Sequence, residues 1–127
     1  MTRFYLKGIP TKRRPRFTRT GRVYVDARTQ EEEAAIAAAY RGAKLEGKVA
    51  IKIDVYPKLA KSTPGSTTSA PMLKRPDADN IAKAILDGLQ GKAYDDDKQV
   101  CRLQIEKHDQ KRIATDYTVV TVSEMRE

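Results

Sequence analysis

The clearest hydrophobic pattern in the chain is a strict alternation over residues 47–57, GKVAIKIDVYP, where every second residue from Val49 to Val55 is aliphatic. A period of two predicts a β-strand that places one face on the core. Asp54 falls on the opposite face, where we expect an ordinary surface charge. This segment is the strongest candidate for a central strand.

Other segments repeat the alternation less strongly. In the predicted strand Gln99–Lys107, Cys101 lies on the same face as the apolar residues, so we expect its thiol to be buried and to have no chemical role. His108 follows this strand and is expected to be a surface residue. Further short strands are predicted over residues 3–10, 22–25 and about 113–123.

Two segments carry helical periodicity. Thr29-Gln30-Glu31-Glu32 has the T-x-x-E spacing of a capping box, which predicts a helix from there to about Leu45. A second helix is predicted from Asp77 to about Gln90, with Gly91 after its end. The core stripe of this helix is expected to consist of Ile81, Ala84, Ile85, Gly88 and Leu89.

These elements follow the order β-β-α-β-loop-α-β-β, which predicts an α+β fold with a mixed, mostly antiparallel sheet of about four to five strands and two helices. A length of 127 residues favours a single domain over 1–127. Residues 57–76 are rich in Pro, Ser, Thr and Gly and contain several lysines, so we expect a mobile basic loop there.

The charge balance narrows the function. A formal net charge of +8 and a pI of about 9.7 favour a polyanionic partner. The longest apolar run, Ala34–Tyr40, is too short to cross a bilayer, and the N-terminus shows no apolar signal segment. With a single cysteine, a reduced cytoplasmic setting is expected, without membrane partners.

Cations concentrate before the first helix, where aromatic residues are interleaved with them. A solvated basic loop is the simple interpretation, and a DNA-contacting arm is the functional one that we favour. Together with two cations before the second helix, the DNA-binding candidates are Lys12, Arg13, Arg14, Arg16, Arg19, Arg22, Lys74 and Arg75.

Carboxylates gather at both ends of the second helix: Asp77 and Asp79 open it, and Asp95–Asp97 follow it. Each group alone has a structural explanation, as helix-start acids or as a polar turn. If the following strand brings the two groups together, three or four hard oxygen ligands would suit Mg²⁺, with Mn²⁺ able to substitute. Lys83 is then either an i, i+4 ion-pair partner of Asp79 or a cation aimed at a phosphate.

An acidic metal pocket on a basic chain is the charge layout of a metal-dependent nuclease. A Cys/His zinc site is excluded, because the chain has one cysteine and one histidine. GLQGKAY lacks the phosphate-loop pattern, and we expect no small-molecule cofactor.

RPDADNIAKAILDGL followed by YDDDKQV resembles the RusA family of Holliday junction resolvases, and PTKRRPRFTRTGRVYVDARTQEEE resembles the phage-type branch of that family. The shared pattern is D-x-D-N, a lysine four residues after the second aspartate, a D-A/G-L helix end and D-D-x-Q-V. The segment before the DDD run is about one residue shorter than in the best-known members.

This resemblance implies a Mg²⁺-dependent endodeoxyribonuclease that cuts four-way junctions as a homodimer, in recombination and repair, encoded by a phage or prophage. It implies that Asp77, Asp79 and Asp97 are catalytic metal ligands, that Lys83 is the catalytic lysine and that Asp96 is a supporting ligand. The x-Q-V that follows favours Asp97 over its two neighbours.

Three alternatives remain open from the sequence. The chain could be a non-catalytic DNA-binding or regulatory module on the same scaffold, or a nuclease that prefers flaps, forks or other branched DNA. A basic protein–protein module would show no effect of divalent metals.

Overall fold

The computed structural model describes residues 1–12, 16, 17, 21, 23, 24 and 27–125, with the backbone alone at 16, 17, 23 and 24. Its helices are α1 (Ala27–Ala39) and α2 (Ala78–Leu89), with a 3-10 turn over Asp97–Gln99. Its strands are β1 (Thr2–Lys7), β2 (Arg16–Phe17), β3 (Val23–Tyr24), β4 (Val49–Tyr56), β5 (Ser69–Ala70), β6 (Val100–Lys107), β7 (Gln110–Lys111) and β8 (Tyr117–Glu124).

Four of these strands form a mixed sheet in the order β1-β8-β4-β6. The β4–β6 pair is parallel, whereas β1–β8 and β4–β8 are antiparallel. The β2–β3 and β5–β7 pairs form two small antiparallel sheets. The prediction of an α+β fold with two helices and a mixed, mostly antiparallel sheet is therefore confirmed among the described residues.

The alternation that predicted β4 places it at the centre of the core. Val49, Ile51, Ile53 and Val55 are all at most 1% exposed. On the same side of the sheet, the predicted apolar face of α2 is buried, with Ile81, Ile85 and Leu89 fully inaccessible. One face of the sheet is thus covered by the helices, and the other is open.

Gly88 sets how closely α1 and α2 approach. A Cβ atom added at Gly88 would lie 2.7 Å from Cβ of Ile36 on α1, which is closer than real Cβ contacts. The absence of a side chain therefore lets the two helices meet.

The predicted capping box is wrong. The helix α1 begins at Ala27, so Thr29 lies inside it, and its side chain is turned inwards and buried. Among the described residues, the Thr29 hydroxyl has no hydrogen-bond partner. The helix also ends at Ala39 rather than near Leu45, because Tyr40 is buried against Phe4 and its hydroxyl donates to the carbonyl of Ala43.

Two expectations on strand residues are also wrong. Asp54 is only 9% exposed rather than a surface charge, because its carboxylate is held on the open face by His108. Cys101 is exposed rather than buried, because β6 is an edge strand that the helices cover only in part.

Residues 57–76 follow a defined path despite their composition. β5 pairs with β7, and Arg112 donates from Nε to the carbonyl of Thr67 at 2.9 Å. Leu59 and Met72 are buried. The mobility of this segment stays a prediction. In the part of the chain that is described, no helix has the length and apolarity needed to cross a membrane.

Candidate functional site

The start of α2 presents two exposed carboxylates. Asp77 occupies the N-cap position with extended backbone angles (φ −71°, ψ 151°), but its side chain makes no capping hydrogen bond. Asp79 lies in the first turn and is also exposed. The capping interpretation therefore does not account for the Asp77 carboxylate, which is available to a ligand.

Lys83 lies one turn after Asp79 and is exposed. It forms no ion pair with any carboxylate in the described ranges, so the i, i+4 pairing with Asp79 is not present. Its ammonium group is exposed and available to an anion.

A cavity of about 650 Å³ adjoins this end of α2. Its lining includes Pro76, directly before the Asp77 N-cap, and five cationic side chains. These are Arg28, Lys58, Lys61, Lys74 and Arg75. Only the last two were singled out from the sequence, because Arg28 lies on α1 and the other lysines lie in a loop without a periodic pattern. The cavity can accept phosphate groups beside the two acids.

The acids after α2 are held by a different set of bonds. Gln99 accepts the N–H groups of Asp95 and Asp96 at 2.9 and 3.2 Å, and donates to the carbonyls of Leu45 and Gly47 at 3.0 Å each. Buried Tyr94 donates from its hydroxyl to the carbonyl of Leu86 at 2.8 Å. The turn is therefore fixed against the end of α2 and the start of β4.

The three acids of this turn have different partners. Asp95 pairs with Lys44 at 2.8 Å, and Asp96 accepts the N–H of Lys98 at 2.9 Å as the cap of the 3-10 turn. Asp97 has neither of these two contacts, and its role as the ligand stays a prediction.

Asp96 and Asp97 influence each other directly. The hydrogen bond from the backbone N–H of Lys98 and the one shared with Asp97 lower the pKa of Asp96. The hydrogen bond with Asp96, partial desolvation and the charges of Asp96 and Asp87 raise the pKa of Asp97. Two carboxyl groups this close favour a shared proton or a cation.

The two acidic groups lie at opposite ends of α2. The 12 residues of α2 span roughly 18 Å between the acids at its start and the turn that follows it. Because β6 runs parallel to β4, Val100 begins beside Val49 at the start of β4, whereas Pro76, directly before α2, shares a cavity with Pro57 after the end of β4. The expected convergence of the two groups does not occur within one chain.

Among the described residues, one set of three His, Cys, Asp or Glu side chains has ligand atoms within 4.8 Å of one another, and it lies elsewhere. It consists of Asp54, Glu106 and His108, on the open face of the sheet. His108 Nε2 is 2.9 Å from Asp54 Oδ1, and His108 Nδ1 is 3.1 Å from Glu106 Oε2. We call this set the open-face cluster.

Sequence reasoning missed the open-face cluster, although a signal for it exists. Asp54 and Glu106 lie on the polar phase of two predicted strands, and His108 follows Glu106 by two residues. Pairing of those two strands would have placed the three side chains on one face. Partial burial, followed by the charge of Asp54, the neighbouring Tyr117 and the charge of Glu106, raises the pKa of Tyr56 beside the cluster.

The DNA-binding candidates fall into three groups. Lys74 and Arg75 line the cationic cavity. Lys12 is held by Asp87 at 2.8 Å and Glu33 at 3.3 Å, and the first of these bonds chiefly raises the pKa of Lys12. For Arg16 only the backbone is described, and Arg13, Arg14, Arg19 and Arg22 lie outside the described residues.

The chain belongs to the Endodeoxyribonuclease RusA family, whose profile matches residues 8–122. The match includes the D-x-D-N start of α2, Lys83 and the acidic turn. Membership makes the protein an enzyme of the nuclease class, from a family that acts on DNA. No curated protein matches the chain at a significant level.

Proposed function

We propose that this protein is a Mg²⁺-dependent endodeoxyribonuclease that resolves four-way DNA junctions by paired symmetric cleavage, in recombination and repair. The observation that carries the proposal is the start of α2, where two exposed acids follow Pro76, which is part of the lining of a cavity that holds five cations and Asp116. A binding module would have no use for carboxylates beside a phosphate site. A phage or prophage origin and a cytoplasmic, DNA-associated location are further predictions of the resemblance.

The donor set fits Mg²⁺. This ion is commonly bound by one or two carboxylates together with waters and substrate phosphates, rather than by a complete protein cage. Asp77 and Asp79 supply two exposed carboxylates as oxygen ligands, and the Asp77 carboxylate makes no capping hydrogen bond. When bound, Mg²⁺ would supply Lewis-acid stabilisation of the phosphate being cleaved.

The cationic side chains would bind the DNA and stabilise the phosphate during cleavage. The cations of the cavity hold the DNA backbone beside α2, and Lys83 offers its ammonium group to the negative charge that develops on the phosphate. Asp77 and Asp79 would hold the metal, and the cations would hold the DNA backbone.

A homodimer gives Asp97 a route to this site. Within one chain, α2 keeps Asp97 away from Asp77 and Asp79, whereas a two-fold dimer can present Asp97 of a second copy to the pair. Asp96 is then a supporting acid that holds the turn. The same symmetry supplies two active sites for the two opposed nicks that a junction requires.

The activity is tested with a synthetic four-way junction and a linear duplex of matched sequence, each incubated with Mg²⁺ or with EDTA. Cleavage of the junction that EDTA abolishes supports the proposal. Tight junction binding without cleavage under Mg²⁺ or Mn²⁺ would contradict it and favour the regulatory DNA-binding module.

DNA binding itself has a salt signature. If the cationic cavity and the arm neutralise about six phosphates, the slope of log affinity against log salt concentration is about −5 for duplex arms. A slope near zero would contradict a DNA partner of any shape.

The origin of Asp97 is tested by subunit exchange between Asp79→Asn and Asp97→Asn proteins. If Asp97 acts on the partner, each mixed dimer contains one intact site and one doubly altered site. Random exchange then restores single-strand nicking to about a quarter of the wild-type rate. If Asp97 acts within its own chain, every site in the mixture is damaged and nicking is not restored.

A further inference from the structure

The open face of the sheet carries two acids in adjacent register. Asp54 on β4 pairs with Glu106 on β6, and both side chains lie on the side that the helices do not cover. Like charges directly opposite each other destabilise a sheet. Asp54 is also largely buried, with its side chain 13% exposed, which makes an uncompensated charge costlier. A proton or a cation between these carboxylates would therefore stabilise the pair.

His108 is built into the position that faces both acids. Its backbone N–H donates to the carbonyl of Val55 at 2.9 Å, which fixes the residue at the end of β4. Its ring stacks on Tyr56 with centroids 4.4 Å apart and an interplanar angle of 6°. The imidazole is thus oriented by contacts other than those with the carboxylates.

The spacing of the donor atoms suits metal coordination. The ligand atoms of the three side chains lie within 4.8 Å of one another, and the two N–O contacts are 2.9 and 3.1 Å. A tetrahedral ion with bonds of about 2.0–2.2 Å keeps its donors roughly 3.4 Å apart. His108 faces Asp54 through Nε2 and Glu106 through Nδ1. An ion that replaces the proton between Nε2 and Asp54 would therefore require the exposed Glu106 side chain to turn towards it.

Two further cations, Lys52 and Arg3, line the cavity over the cluster. Lys52 Nζ lies 4.0 Å from Asp54 Oδ2, at the outer limit of an ion pair, and the lysine side chain is 55% exposed. A cavity of about 440 Å³ opens over the cluster, so an ion and its waters can enter from solvent.

We propose that Asp54, Glu106 and His108 bind one divalent transition-metal ion of the Zn²⁺ or Mn²⁺ type, at a site separate from the acids that flank α2. One imidazole nitrogen with two carboxylate oxygens is a donor set for these ions and distinguishes the cluster from an oxygen-only Mg²⁺ site. The ion joins the ends of β4 and β6 and so anchors the edge strand that begins after Asp97. The eight residues of β6 place the cluster roughly 25 Å from Asp97 along the strand.

The single histidine of the chain makes a direct test possible. Mn²⁺ is added to full-length protein from which any polyhistidine tag has been removed, and pulsed EPR records coupling to ¹⁴N. The background is the Asp77→Asn/Asp79→Asn/Asp97→Asn protein, which lacks the acids proposed for the nuclease. On this background we expect a bound Mn²⁺ with imidazole nitrogen coupling, which Zn²⁺ displaces.

Two variants and one matched control sharpen the result. His108→Gln removes the nitrogen coupling, and Glu106→Gln keeps it but weakens Mn²⁺ binding at least about tenfold. Glu46→Gln, which changes an exposed acid outside the cluster, alters neither. Circular dichroism confirms that each variant is folded, and because Glu106 is exposed, its variant remains informative if the histidine variant does not fold.

Absence of bound Mn²⁺ in the triple variant would overturn the proposal, and so would bound Mn²⁺ without nitrogen coupling. Neither result bears on junction cleavage, because the cluster and the proposed nuclease site share no residue.

Discussion

The start of α2 and the open-face cluster both carry carboxylates, but under different physical conditions. The acids at the start of α2 are exposed and lie beside a cationic cavity, where a loop ends and the helix begins. In the open-face cluster, by contrast, Asp54 is buried on a central strand and held by an imidazole at 2.9 Å. The first arrangement suits a metal that exchanges ligands with a phosphate, and the second suits a metal or proton that stays in place. Solvent access and neighbouring charge, rather than residue type, separate the two roles.

The largest expected difference between the regions is in catalysis. Asp79→Asn should reduce junction cleavage by at least about 10²–10³-fold, since it removes an anionic metal ligand that supports transition-state charge. Glu106→Gln makes the same chemical change on the open face and should leave the Mg²⁺-dependent rate within about threefold. Initial rates at saturating junction measure both. Equal losses in the two variants would contradict the assignment of catalysis to α2.

The lysines of the two regions allow a second comparison. Lys83→Met should lower the cleavage rate about 10²-fold while junction affinity stays nearly unchanged, because the ammonium group acts on charge that develops during cleavage. Lys52→Met, on the open face, should alter neither quantity. Single-turnover rates and gel-shift affinities are the measurements. Loss of binding with Lys83→Met would make this lysine a phosphate anchor instead.

Replacement of Gly88 in α2 should lower the stability of the protein, although glycine is a poor helix former. Alanine for glycine in a helix normally adds about 1 kcal/mol of stability. At Gly88 the new Cβ would meet Ile36 at 2.7 Å, so Gly88→Ala should instead lower the free energy of unfolding by about 1–3 kcal/mol.

Gly65→Ala is the matched control, because nothing lies within 4 Å of its added Cβ, and it should change stability by less than about 0.5 kcal/mol. Urea denaturation measures both variants. A stabilised Gly88→Ala protein would show that the helices have room to separate.

The smallest expected effect concerns the acidic turn. In the metal-free protein, Asp97 should titrate above the ordinary aspartate range, because the hydrogen bond and charge of Asp96 raise its pKa. As the pH falls, Asp97 therefore loses its charge before an ordinary aspartate does. Asp96→Asn removes the neighbouring charge and should lower the pKa of Asp97. Carboxyl ¹³C NMR titration follows the signal, and an unchanged midpoint would show that the two groups are not coupled.

The sequence predicted the elements whose pattern is repeated over several turns or residues. The strict alternation of β4 and the apolar face of α2 each give a buried face directly, and both are confirmed. The capping box predicted at Thr29 was wrong because a capping box is a local sequence pattern. The inward orientation of the Thr29 side chain depends instead on how the whole helix packs. The predicted burial of Cys101 was wrong because alternation identifies which residues share a face of a strand. It does not show whether that strand lies at the edge of the sheet.

The same difference between local patterns and tertiary packing applies to the candidate site. The acids of α2 were found from a local motif, and the structure leaves both exposed, Asp77 at the N-cap and Asp79 in the first turn. Their separation from Asp97 was not anticipated, because it depends on the parallel pairing of β4 and β6 and on the length of α2 between them. The open-face cluster needs the same pairing, since it alone places Asp54 opposite Glu106.

The central claim is resolution of four-way junctions, and the most direct measurement is the position of the cuts. A junction with each strand labelled in turn is incubated with the protein and Mg²⁺, beside a flap and a replication fork of the same arm sequences. The account predicts paired nicks at symmetric positions in two opposed strands of the junction, and little cutting of the flap or fork. Single nicks at unrelated positions, or faster cutting of the flap or fork, would contradict it and identify a nuclease for other branched DNA.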